Sequence, residues 1–384
     1  MLFGDGRLVA LFALVYYLGA ASFAILWLRR ARRRVPKVAR DALPGITLLK
    51  PLQGIDEELE TNLESFANLD YPRLQIVFAC QSPNDPALAV ARSVVARHPD
   101  LDVVILAGTE GTACSPKVLN LEAMLPHARH DWVMISDSNV RIAPQDLLTM
   151  AAESLDSQVG LVYQPVIGIL DRSAPAAVEN LRLTEYGGTL TMALKMCLGL
   201  DIVMGKGMLM RRTALASVGD FAAVRDVAAD DYVLGETLSK AGWKLVLSSI
   251  PARVVHIDWS WKGTIRRQLR HSAMRVRLGP WTYLFEMVFS PIAVSLLPLA
   301  LSRGGTWWVC VLAIVVKTVA ELTAGAILRR QPPRWIHVPL VTVKDLLMVG
   351  IWFAAIFSNR VEWRGRTFRM RRGSRLELIG PNTT

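Results

Sequence analysis

The chain is poor in cysteine, histidine and acidic residues, and each shortage excludes something. Its four cysteines, Cys80, Cys114, Cys197 and Cys310, have no C-x-x-C pair and no metal-ligand spacing. Neither a zinc module nor a disulfide framework is expected, and they read as reduced packing residues in a reducing compartment. Internal repeats and low-complexity stretches are also missing, so a solenoid is not the architecture. Acidic residues number 33 against 44 Lys plus Arg, a formal net charge of +11 over 384 residues. That excess would suit nucleic acid or an anionic membrane face. With 52% hydrophobic residues and a mean hydropathy of +0.31, however, the chain is too apolar for an ordinary soluble protein. A phospholipid bilayer is therefore the expected partner, and nucleic acid is not.

What the chain does have is uncharged apolar runs. The first, 8–28, is about long enough to cross a bilayer, and Arg29, Arg30, Arg32, Arg33, Arg34 and Lys37 come directly after it. A cleaved leader carries its positive charge before the apolar run, so residues 1–30 read as a retained anchor, with 31–45 as a basic juxtamembrane linker and the downstream chain on the cytoplasmic face. Three more apolar stretches fall at 284–302, 306–328 and 337–358. The first contains Pro291, Pro298 and Glu286 and suits a broken or interfacial piece, leaving two full spans. The arginine-rich tail, 359–384 with Arg360, Arg364, Arg366, Arg369, Arg371, Arg372 and Arg375, then returns to the cytoplasm. Arg329, Arg330 and Arg334 would face the other side, against the same rule. Lys317 with Glu321, and Lys344 beside Asp345, put ionisable groups inside apolar segments, as a helix-internal pair or as contacts for an acceptor.

Between these segments lies an α/β pattern. Apolar, β-branched runs at 46–50, 75–80, 102–107 and 132–136 alternate with helical stretches at 57–67, 86–97 and 116–126. Alternation of this kind predicts a mostly parallel, doubly wound sheet whose ligands bind beyond the C-terminal strand ends. There Asp137 and Asn139, in "ISDSNV", place two oxygen ligands one residue apart, a pattern for a hard divalent cation. Taken alone, the same residues equally serve turns and helix caps. Asp85 in "CQSPNDPA", Asp230 and Asp231 in "ADDYVLGE", and Arg266, Arg267 and Arg270 in "RRQLRH" lie at other element ends. Together they form a set suited to a sugar nucleotide: a cation and guanidinium groups for the diphosphate, and a carboxylate base for an acceptor hydroxyl. Capping and a membrane-facing basic stripe are the plainer readings of each residue by itself.

The ordered motifs "LLKPLQGIDEELETNLESFANLDYP", "QSPNDPA", "SPKVLNLEAMLPHARHDWVMISDSNVRI", "VGLVYQP", "GKGMLMRR", "ADDYVLGE" and "RRQLRH" resemble those of the ceramide glucosyltransferases, with bacterial hopanoid-glycosylating enzymes close by. The resemblance runs from about 46 to 280. It implies a GT-A domain at 46–262, an interfacial helix at 263–283 carrying the RxxRH motif, and C-terminal membrane segments at 284–358. By resemblance, Asp85 lies near the uracil of a UDP-sugar and Asp137 binds Mg2+ or Mn2+ at the diphosphate, with Asn139 as a further ligand. Asp231 is the candidate base, with Asp230 beside it as the alternative, and Arg267 and Arg270 are the two basic positions of the last motif. Lys50, Pro51, Lys117, Asn120, Gly205 and Gly207 also match family positions for the donor. His271 stands where the family has Trp, which puts the acceptor in question.

The implied activity is inverting transfer of a hexose, glucose first, from a UDP-sugar to a membrane lipid hydroxyl, ceramide first, with a hopanoid or diacylglycerol as alternatives. The expected setting is a bacterial inner membrane. A polysaccharide synthase would share the catalytic set but needs more spans than the four apolar segments supply. A non-catalytic scaffold would need no ordered acidic set. His256 reads as a satisfied core histidine rather than a third ligand.

Overall fold

β-Branched runs bounded by polar turns become strands, and capped segments between them become helices. The computed structural model describes residues 7–111, 114–286, 290–303, 305–363 and 366–381; Arg364 of the basic tail lies outside them. The chain divides into two compact units, one of Leu28–Ile169 with Gly199–Val255, the other of Met1–Trp27, Leu170–Leu198 and His256–Thr384.

The first unit holds β1 (Ile46–Pro51), β2 (Leu74–Cys80), β3 (Asp102–Ala107), β4 (Trp132–Ile135), β5 (Val140–Arg141), β6 (Val159–Tyr163), β7 (Val166–Ile169), β8 (Met208–Arg211), β9 (Lys244–Leu247) and β10 (Ala252–Val255). Its main sheet has the order β3-β2-β1-β4-β8-β6-β9. β1 pairs in parallel with β2 and β4, and β2 with β3, so the four expected strands lie side by side. Helices Leu59–Ala67, Pro86–Arg97 and Pro116–Met124 are the crossovers that parallel pairing requires. β8 is antiparallel to both β4 and β6, a reversal that no residue pattern announced. Every residue of β1 is buried, as the centre of a sheet covered on both faces demands. β5, β10 and β7 form a second, smaller sheet.

Among the described residues, three helices are long and apolar enough to cross a membrane: Trp307–Arg329 and His337–Phe357 of the second unit, and Arg7–Arg34, which belongs to that unit up to Trp27; Pro291–Leu301 has 11 residues with Pro298 inside. Residues 170–198 fall in this unit, although the expected boundaries put them in the 46–262 domain. They run as a helix (Ala174–Leu183), a π-helical turn (Thr184–Leu190) and a further helix (Thr191–Leu198). Two causes place them here. Ala177, Val178 and Leu181 pack with Ile292, Leu340 and Val341. Glu185, on the π turn, meets the ammonium groups of Lys317 and Lys344.

Those ammonium groups also reach Glu321 at 2.8 and 2.9 Å and Asp345 at 3.4 and 3.2 Å. The pair expected within one helix is thus part of a five-residue cluster joining three helical segments. Two of the three arginines that offended the charge rule make contacts with protein groups. Arg329 donates to Asn180 O at 3.0 Å and Thr184 Oγ1 at 2.9 Å, and Arg334 reaches Asp171 Oδ2 at 3.2 Å. Arg329 is thereby held by protein, whereas the Arg334 side chain stays 54% exposed and Arg330 is exposed, so those two still run against the rule.

The tail is also more ordered than a basic extension. β11 (Arg360–Trp363), β12 (Arg366–Met370) and β13 (Leu376–Pro381) form an antiparallel sheet that buries Phe368, Met370 and Leu376.

Candidate active site

The loop that leaves β1 organises the site by tying neighbouring strand ends together. Gly54 N donates to both carboxylate oxygens of Asp85 at 2.9 and 3.1 Å, and Ser138 Oγ donates to Asp56. Asp85 is also the N-cap of Pro86–Arg97, accepting from Ala87 N at 2.9 Å. The capping reading of Asp85 is therefore what the geometry contains, and hydrogen bonds from two backbone amides fix the carboxylate just past the C-terminal end of β2. Asn120 supports the same edge: its Nδ2 donates to Ala79 O at 3.1 Å, and its Oδ1 accepts from Thr109 at 2.5 Å. Pro51 closes β1 beside them.

One turn further across the sheet, charges gather around Asp137. Lys117 Nζ lies 3.5 Å from Asp137 Oδ1 and 3.2 Å from Asp230 Oδ2. Lys50 Nζ, fully buried, donates to Asp137 O at 2.9 Å and to Ser136 Oγ at 3.4 Å. Lys206 Nζ donates to Asp137 Oδ2 and, at 3.3 Å, to Asn139 Oδ1. Asp231 accepts from Gly205 N at 2.5 Å and from Tyr232 N at 2.8 Å, which holds its carboxylate rigid at the start of Asp230–Lys240.

This packing sets the electrostatics. Burial would raise Asp137, but Lys117 and Lys206 outweigh it and hold the carboxyl below the usual range. Burial would lower Lys117, yet Asp137, Asp230 and Asp231 raise it above an ordinary lysine. Asp230 is pushed up to about 6 by burial, with Lys117 opposing and Asp231 adding. Lys50 is brought down to about 7 by burial, against the pull of Asp137 and with Lys206 adding.

The two glycines of "GKGM" are constrained by space. A Cβ on Gly205 would meet Lys117 Nζ at 2.7 Å and Asp231 Oδ2 at 3.1 Å, and one on Gly207 would collide with Gln164 Oε1. Gly205 thus lies inside the charged site, while Gly207 packs against a buried glutamine. Lys206, between them, is the site residue that sequence reasoning missed. Its only signal was a lysine flanked by glycines just before a strand.

The structure brings Lys50, Lys117, Asp137, Asn139, Gly205, Asp230 and Asp231 together, with Asp85 and Asn120 at the adjoining strand end. Arg267 and Arg270 stand on the helix Trp261–Leu278, in the other unit. There Arg267 Nε pairs with buried Glu179 at 3.0 Å and stacks over Trp259, and Gln268 bonds the same carboxylate at 2.8 Å. The buried face of this helix is Thr264, Gln268, Ser272 and Ala273, while Ile265 is 38% exposed. Its inward stripe is polar, which reverses the usual amphipathic arrangement. His256 is buried in the same unit, with Nδ1 on Asn180 at 3.0 Å.

A divalent cation fits the donor set. Asp137 Oδ1 is sealed from solvent and has no hydrogen-bond partner among the described residues, with Lys117 Nζ facing it at 3.5 Å, and Asn139 offers a second oxygen. Few protein oxygens are needed where a diphosphate supplies the rest.

Comparison with known proteins agrees with this geometry. The sequence model for glycosyl transferase family 21 matches residues 7–376. Ceramide glucosyltransferase 1 of Caenorhabditis elegans is 30% identical over 214 residues, which are 55% of this chain and 45% of that relative, so the match spans less than half of the relative's length. Ceramide glucosyltransferase 3 of the same organism is 23% identical over 356 residues, 88% of this chain and 76% of that protein. A mannosyltransferase from Pyrobaculum calidifontis, solved with GDP-Man and Mn2+, superposes with a TM-score of 0.53 at 19% identity, covering 92% of this chain and 99% of that one, and so shares the GT-A fold. With a family match over nearly its whole length, and with the motif resemblance to ceramide glucosyltransferases supported, the chain belongs to glycosyl transferase family 21.

Proposed function

We propose that the protein is a membrane-bound, inverting glycosyltransferase that moves glucose from UDP-glucose to a hydroxyl of ceramide, with its catalytic unit on the cytoplasmic face. The observation that carries this reading is the convergence of Lys117, Asp137, Asn139, Asp230 and Asp231 at the C-terminal end of a parallel sheet in a chain of this family. Asp85 and Asn120 would hold the uridine end of the donor, and Lys50 and Lys117 its phosphates. Asp137 and Asn139 would hold a Mg2+ or Mn2+, whose charge would offset that of the departing diphosphate.

Asp231 is the better base of the acidic pair, because Asp230 is committed to Lys117. Two backbone amides orient Asp231, so its carboxylate can accept the acceptor hydroxyl proton without reorganising. The motif resemblance gives Arg267 and Arg270 a role toward the diphosphate, which Arg267→Ala and Arg270→Ala would test in the same assay. The three long apolar helices would keep the enzyme where its lipid acceptor is.

The test is transfer of label from UDP-[14C]glucose into lipid, with ceramide, diacylglycerol or hopanoid supplied in separate vesicles. Label in ceramide alone, lost in Asp231→Asn and Asp137→Asn, is the expected result. Label in another lipid moves the acceptor assignment, and a polymeric product would make the chain a polysaccharide synthase.

A further inference from the structure

We propose that Lys206 is a tethered cation that holds Asp137 and Asn139 in the nucleotide-free enzyme and must leave them before a divalent cation enters. This rests on the cation-dependent reading above and adds a residue that reading does not use. The two side chains assigned to the metal are the two that the Lys206 ammonium bonds, from 69 and 67 residues away in sequence. The other Asp137 oxygen faces Lys117 at 3.5 Å, so an incoming dication meets an ammonium on each side of the carboxylate. Like charges at such separations oppose binding unless one withdraws.

Of the two ammonium groups, Lys206 is the one bonded to both proposed metal ligands, so its place is the one a dication would take. Lys117 has Asp230 as a second carboxylate partner at 3.2 Å and is fixed by it. Lys206 reaches Asp137 on a flexible four-carbon stem, while the backbone on either side is pinned: Gly205 N binds Asp231, and Gly207 packs against Gln164. The movement is therefore confined to the side chain. What draws it away is the diphosphate of the donor, an anion that gives the ammonium a new partner as the metal takes the old one. The consequence is coupling: the dication enters with the nucleotide, and without nucleotide it binds weakly.

The experiment measures Mn2+ affinity by the electron paramagnetic resonance signal of free Mn2+, on the full chain in detergent, with and without UDP. Without UDP, Lys206→Met is expected to bind Mn2+ about tenfold or more tighter than wild type, the size of one charge-assisted hydrogen bond. With UDP the two should converge, and Lys206→Arg should behave as wild type throughout. A cooperative thermal unfolding transition of Lys206→Met in the same detergent, at a Tm close to that of wild type, shows that the variant is folded. Equal or weaker Mn2+ binding by Lys206→Met without UDP overturns the tethered cation and leaves the proposed function intact. Absence of Mn2+ binding in every protein even with UDP present overturns both.

Discussion

Gly205 and Gly207 flank one lysine yet answer to different constraints, and their alanine variants should separate. A methyl on Gly207 would collide with Gln164 Oε1, and Gln164 is buried and bonded through Nε2 to Ile250 O at 3.2 Å. It has nowhere to go. Gly207→Ala should cost about 1–3 kcal/mol of stability, read as a lowered Tm. A methyl on Gly205 would press on Lys117 and Asp231, the ends of side chains that line the site. Gly205→Ala should therefore weaken UDP binding with a smaller change in Tm, and the reverse ranking would contradict the placement of the two glycines. Asp230 yields a pH prediction at the same scale. Its carboxyl is raised from an ordinary 3.8 to about 6, chiefly by burial, so the folded protein holds the proton more tightly than the unfolded chain. That stabilisation is complete at low pH and is lost as pH rises through about 6. Across this window wild type should lose on the order of 2 kcal/mol relative to Asp230→Asn, which lacks the titration; parallel Tm curves for the two would refute it.

Among elements, the parallel core was legible and the rest less so. β1 to β4 arise from β-branched runs with helical stretches between them, because both periodicities are local and burial on two faces makes each strand apolar throughout. The reversal of β8 left no such trace, since pairing direction is set by where the chain returns and not by composition. Asp137 and Asn139 were legible from their place at a strand exit; Lys206 was not, because its partners lie far away in sequence. Segment 170–198 groups with the second unit through contacts equally remote in sequence. Besides Arg182 three residues earlier, Glu185 finds its closest partners in Lys317 and Lys344, 132 and 159 residues away in sequence. In that cluster, Lys344→Met would leave Glu185 and Glu321 short of one buried counter-charge. It should destabilise the second unit by about 3–5 kcal/mol, measured by thermal unfolding in detergent. A variant as stable as wild type would show that the cluster does not hold these helices together.

For the molecule as a whole, composition pointed to a bilayer, and three helices are long and apolar enough for one. The motifs pointed to a family, and the family model covers residues 7–376. The arginines of "RRQLRH" mark where the sequence ran ahead of the geometry. Arg267 is paired with Glu179 in the second unit, and its service to a leaving diphosphate remains a proposal. The central claim is that the carboxylates at the strand ends of the first unit perform sugar transfer to a membrane lipid. Its most direct test is mass spectrometry of lipids from cells expressing wild type, Asp137→Asn and Asp231→Asn at matched membrane levels. A new monohexosylceramide in wild type alone is the result expected here. The same new lipid at the same level in Asp231→Asn would contradict the assignment of the base, and its persistence in both variants would remove this cleft from the chemistry.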